Sequence, residues 1–141
     1  MRPDEVVAER SLLRHDRLMI TGVLLAESLR VGASLAVPGL RLRCVHREDV
    51  SGGTTSEQPD LWTFIEFEAP SKASDALSRE LSSALLPTGG WYADFSVDDD
   101  HVVVYAGRAF RYHKGDVDGR AAAQEHGRSV GVPEHQLDWP D

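Results

Sequence analysis

One cysteine, Cys44, among 141 residues leaves no disulfide framework, no Cys-rich zinc site and no iron–sulfur cluster to consider. Long apolar runs are missing too: Leu18–Ala26 is far shorter than the roughly 20 residues that span a bilayer. The acids Asp4, Glu5, Glu9 and Asp16 stand where a secretory leader would be basic, so that run reads as core structure. No period of 20 to 50 residues repeats, which excludes solenoids and propellers. Glycine-rich phosphate loops are absent, because Gly52-Gly53 and Gly89-Gly90 lack the lysine and the strand–loop–helix spacing. Histidines lack zinc spacing: Glu125-His126 and Glu134-His135 are isolated pairs. No aromatics cluster with basic neighbours in the manner of an RNA-reading sheet. Lysine itself is scarce, with Lys72 and Lys114 against 13 arginines.

What is present is an ordinary globular balance, 41% apolar and 27% charged, of a size that makes 1–141 one domain. The formal net charge of −8 disfavours nucleic acid and anionic membrane as partners. The charge is uneven: residues 51–100 carry ten acids and two bases, whereas residues 1–50 and 101–141 are nearly neutral. That acidic third reads either as a solvated face or as a patch that steers a basic partner. A cytoplasmic protein without cofactor or metal is expected.

Residues 1–17 read as an N-terminal arm or helix, and 18–35 fit helix or strand equally. Pro38-Gly39 marks a turn, and Leu40–His46 alternates as a strand with one buried face. Residues 51–60 form the longest, flexible loop, followed by a second strand over Leu61–Ala69. Ala73, Ala76, Leu77, Leu81, Ala84 and Leu85 recur at helical spacing behind Pro70-Ser71, with Ser71 as the expected N-cap. Strands are predicted over Trp91–Val97, Val102–Ala106 and Ala109–His113, the last pair joined by a tight turn at Gly107-Arg108. A second helix over Arg120–Val130 ends at Gly131, and Leu137 and Trp139 form an apolar tail that docks on the body. The sum is an α+β fold: a two-layer sandwich of a mainly antiparallel sheet of about five strands with helices on one face, close to a ferredoxin-like arrangement.

Three motifs imitate chemistry. Gly127-Arg128-Ser129-Val130-Gly131 fits the G-x-S-x-G nucleophile elbow, but a helix precedes it and Pro133 follows, the reverse of the strand–turn–helix the motif requires. Lys114–Gly119 overlays part of a calcium loop with a lysine where the first carboxylate belongs, so a turn with Asp116 or Asp118 capping the helix is the simpler reading. The Asp98–His101 cluster is suited to a hard cation but is more simply a wet hairpin tip.

The more informative feature is a sheet face. If Ile65, Phe67, Ala93, Phe95, Val102, Val104, Phe110 and Tyr112 pack under the helices, the reverse side shows rings among charges. The candidate ligand or partner residues there are Trp62, Phe64, Tyr92, Asp94, Tyr105, Arg111 and His113. Arg41 and Arg43 sit across from Glu66 and Glu68 as cross-strand ion pairs, whereas the rings ask for a cover. The expected function is therefore a non-catalytic binding module, using this face for self-association as a homodimer or for a partner protein, including a basic one. The alternative is a small-molecule enzyme of hydrolase or isomerase type, with Arg111, His113, Tyr105 and Asp94 converging on a pocket.

Overall fold

The segment that fits helix and strand equally lies at the heart of the sheet. The structure, a computed structural model, describes residues 19–140, so the arm expected over 1–17 lies outside the described residues. Strand β1 spans Met19–Leu25, β2 Arg41–Asp49, β3 Leu61–Pro70, β4 Ala93–Val97, β5 Asp100–Tyr105 and β6 Arg108–His113. They form one six-stranded sheet in the order β2-β3-β1-β4-β5-β6, one strand more than expected, with every pair antiparallel. Helix α1 spans Ser74–Ala84 and α2 Val117–Ser129. The described elements thus run β-β-β-α-β-β-β-α, not the β-α-β-β-α-β succession of ferredoxin-like folds.

Two glycine and carboxylate devices hold β1 between its neighbours. A Cβ on Gly22 would stand 2.6 Å from the Phe67 ring and 2.7 Å from Phe95 Cβ, so only glycine lets β3 and β4 close over the strand. Just past the end of β1, the Glu27 carboxylate accepts from Thr63 N at 2.6 Å and Thr63 Oγ1 at 2.8 Å, taking the place of a ladder partner for β3. Burial works to raise the Glu27 pKa, but the two hydrogen bonds from Thr63 outweigh it and hold it below the usual carboxylate range.

α1 and the sheet make a two-layer sandwich. α1 buries Leu77 and Leu81, which join Ile20, Leu24, Phe67, Ala69, Phe95, Val97, Val102 and Val104 in one core. Burial of each such leucine contributes roughly 1.5–3 kcal/mol. The helix is entered through a 3-10 turn at Ser71–Ala73, and its N-cap position is Ala73 rather than Ser71.

α2 lies on the opposite face, which corrects the expectation of both helices on one side. Its contact stripe is small: a Cβ on Gly119 would meet Tyr112 Cβ at 2.5 Å, and one on Gly127 would meet Tyr105 Oη at 2.7 Å. Ala123 between them is fully buried, and Tyr105 Oη donates to its carbonyl at 2.7 Å. These residues are four apart and share one helix face, so α2 settles close onto two tyrosines of the sheet. Val132, Leu137 and Trp139 complete this second core, as expected of an apolar tail. Asp116 caps the helix, accepting from Gly119 N at 3.1 Å, and Gly131 takes φ +92° just beyond its end. Ser129 Oγ donates to the His126 carbonyl, which makes the G-x-S-x-G match a helix terminus.

Candidate functional site: an aromatic cavity on the reverse sheet face

Cross-strand register decides which candidate residues meet. On the face opposite α1, β3 presents Trp62, Phe64, Glu66 and Glu68, since their alternates Ile65 and Phe67 belong to the α1 core. Register places Val23 beside Asp94 and Glu66, and Leu25 beside Phe64. The C-terminal segment runs past this surface with Leu137 and Trp139 turned into the second core. Alternation along that segment leaves Gln136 and Asp138 for the sheet groove, where His135 joins them. The loop after β2 contributes Val50 and Gly53 from another side.

Between these walls lies a cavity of about 330 Å3 lined by Trp62, Phe64, Trp91, Tyr92 and Asp94 together with His135, Gln136 and Asp138. The rings are tilted rather than stacked face to face: Trp62 to Trp91 is 5.4 Å at 58°, and Trp62 to Phe64 is 6.2 Å at 48°. His46 stacks on one face of Phe64 at 4.9 Å. The walls are tied to each other. Gln136 Nε2 donates to Gly53 O at 2.7 Å and to Gln58 Oε1 at 2.9 Å, while Gln58 Nε2 donates to Gly89 O at 2.9 Å. His135 Nε2 bonds Gly53 O at 2.7 Å, and the Tyr92 hydroxyl donates to the Gln136 carbonyl. The 51–60 loop is therefore pinned through Gln58, which is buried.

An adjoining polar hollow of about 280 Å3 shares Val23 and Asp94 with the aromatic cavity and is lined by Thr21, Arg43, Glu66, Ser96 and His101. Asp94 stands at the junction. Its Oδ2 lies 3.0 Å from His101 Nε2, and His101 Nδ1 lies 3.4 Å from Ser96 Oγ. This Ser–His–Asp sequence of contacts resembles a nucleophilic triad in order. Over Asp94–Ser96 the β4 backbone is paired with both β1 and β5, so this strand offers no free donor beside Ser96 to stabilise an oxyanion. Ser96 and His101 are also directly opposite each other in the ladder, which by itself brings their side chains together.

Four of the seven candidate residues, Trp62, Phe64, Tyr92 and Asp94, converge on the cavity. The other three do not. Tyr105 is on this face but is sealed beneath α2, at 1% exposure. Arg111 and His113 lie on the α1 side, because β6 pairs Arg111 with Val102 and His113 with Asp100. There they clamp Asp100, at 2.7 Å and 2.6 Å, and Arg111 chiefly, with His113, draws that carboxyl below its usual pKa against partial burial. Phe110 and Tyr112, expected under the helices on the same side as Val102 and Val104, face α2 on the other side. The convergence of Arg111, His113, Tyr105 and Asp94 required by the enzyme alternative is thus not formed.

Of the cross-strand pairs expected with Glu66 and Glu68, only those to Glu68 form: Arg41 Nη2 reaches it at 2.6 Å and Arg43 lies 4.0 Å from the same carboxylate. A bulge between Leu42 and Cys44 sets Cys44 opposite Glu66. The Glu66 carboxylate, hydrogen-bonded to the thiol and repelling its thiolate, holds Cys44 above its ordinary pKa, so the lone cysteine is not an activated nucleophile. At the cavity the Tyr92 phenol is pushed well up, by burial first and then by the Asp94 and Asp138 carboxylates. Among the described residues no group of three or more His, Cys, Asp and Glu side chains is placed to hold a metal ion.

Trp91, His135, Gln136 and Asp138 were not among the candidates. The signal for the last two was the alternation 136/138 against Leu137/Trp139 in a tail already expected to dock. No helix among the described residues is long and apolar enough to cross a membrane. No protein-family model matches the chain, and no curated protein or solved structure is significantly similar to it.

Proposed function

We propose that this domain is a non-catalytic recognition module that takes a small amphipathic ligand in the reverse-face groove. The observation that carries this reading is the convergence of four aromatic rings and Asp94 on one cavity of about 330 Å3. That volume is at the lower end of small-molecule sites, which are concave, mostly apolar and supplied with a few oriented polar groups. The loop after β2 and the C-terminal segment both line the cavity beside the sheet surface, which makes the site concave rather than flat. Self-association through the β2 edge is disfavoured by that strand itself, which carries Arg41, Arg43, Arg47, Glu48 and Asp49 and a bulge, the devices that discourage strand pairing. Attraction of a basic protein is weakened because Glu68 and Asp100 of the acidic third already have cationic partners. On this reading the protein works in the cytoplasm, where its single thiol stays reduced.

The test is a fragment screen followed by amide and indole nuclear magnetic resonance shifts. Shifts grouped on the Trp62 and Trp91 indole N–H, Asp94 and Gln136 are expected. Fragments that leave these signals in place and move only the β2 edge contradict the proposal.

A further inference from the structure

Resting on the groove as the binding site, we infer that its ligand is a small organic cation, an alkyl- or arylammonium, seated among Trp62, Phe64, Trp91 and Tyr92 with Asp94 and Asp138 as counter-charges. The lining holds two carboxylates and neither lysine nor arginine. Arg43, in the adjoining hollow, is turned to Glu68. Asp94 spends Oδ2 on His101, leaving Oδ1 for a ligand, and both Asp94 and Asp138 are close enough to Tyr92 to act on its phenol.

Three ligand charges compete for such a site. An anion would meet two carboxylates in a partly dry cavity and is repelled. A neutral molecule gains apolar contact with the rings but covers the half-buried Asp94 carboxylate without answering its charge. A cation gains from both: ring faces attract an ammonium through their quadrupole, most strongly for tryptophan, and the carboxylates attract it directly. The cavity volume suits a ligand group of small-molecule size rather than a whole protein face, and we take the free ammonium as the occupant.

The experiment compares three probes with one carbon skeleton: phenethylammonium, 2-phenylethanol and phenylacetate, each titrated at pH 7 and low salt against tryptophan emission and the indole N–H signals. Phenethylammonium is expected to saturate with a Kd about tenfold below that of 2-phenylethanol, and phenylacetate to bind least. Asp138→Asn, at an exposed position, and Asp94→Asn are each expected to shrink the ratio of ammonium to 2-phenylethanol affinity, and an unchanged ratio in both variants would overturn the assignment of these carboxylates as counter-charges. Raising salt is expected to narrow the same gap. If 2-phenylethanol binds in the groove as tightly as the ammonium, the cation assignment is overturned and the groove survives as a site. If none of the three shifts the groove signals, the groove falls together with the assignment.

Discussion

The two halves of the reverse sheet face carry the same kind of residue and meet opposite fates. Over β5 and β6, Val103, Tyr105 and Tyr112 are buried at 6% exposure or less beneath α2 and the C-terminal tail. Over β1 and β3, Trp62 and Phe64 remain partly open and Val23 is 36% exposed. Aromatic content does not separate them. The difference lies in what the chain supplies opposite: the Gly119, Ala123, Gly127 stripe has room for tyrosine rings, and no described element is laid over β1 and β3 in that way. One half is core, and in the other the rings stay partly open.

Truncation in each half should separate these roles. Trp139→Ala is expected to have the largest effect on stability, about 3–5 kcal/mol in urea unfolding. Trp139 is 2% exposed, its indole donates to Tyr112 Oη at 2.6 Å, and the Arg120 guanidinium lies 5.3 Å from its ring centroid. A loss below about 1 kcal/mol would mean that the tail is not part of the core.

Gly127→Ala comes next, at roughly 1–3 kcal/mol, because the added carbon would stand 2.6 Å from Leu137 Cδ2. Gly53→Ala at the groove wall, whose Cβ would meet nothing nearer than 3.7 Å, is expected to stay within about 0.5 kcal/mol of the parent. Equal losses in the two variants would erase the proposed contrast in packing.

The smallest effect concerns pH. His126 packs on Tyr105 at 4.8 Å, and burial first, then Arg108, lowers its pKa below the ordinary 6.5. The unfolded chain therefore binds the proton more readily than the folded one, so stability falls as pH drops from above 6.5 toward the folded pKa. A His126→Gln variant should lose that part of the slope in melting temperature between pH 7.5 and 5.5. An unchanged slope would assign the drift to other groups.

Much of this was legible in the chain, and the misses have physical causes. The helical repeat of Leu77 and Leu81 and the Gly131 terminus placed both helices. The side of the sheet that each helix covers was not read, since Phe110 and Tyr112 look as suitable as Val102 and Val104 for covering by α1. The turn held the answer: any two-residue connection at Ala106-Gly107 or Gly107-Arg108 pairs Arg111 with an even-numbered residue of β5, hence with the α1 face. For β6, apolarity and register point to opposite sides, and register prevails, which puts Arg111 and His113 on the α1 side. Met19–Leu25 escaped because a glycine in mid-strand lowers strand propensity, while the close approach of Phe67 and Phe95 that requires Gly22 exists only in the folded sheet. Of the cavity, the rings could be read locally, whereas the Gln58–Gln136 tie joins residues 78 apart in sequence.

The central claim is that the β1–β3 half of the face is kept for recognition rather than for holding the fold. Unfolding free energy and phenethylammonium affinity measured together on Trp62→Ala test it most directly. A stability loss of no more than about 1 kcal/mol with binding abolished is expected. A loss comparable to that of Trp139→Ala, with affinity for the probe retained, would contradict it.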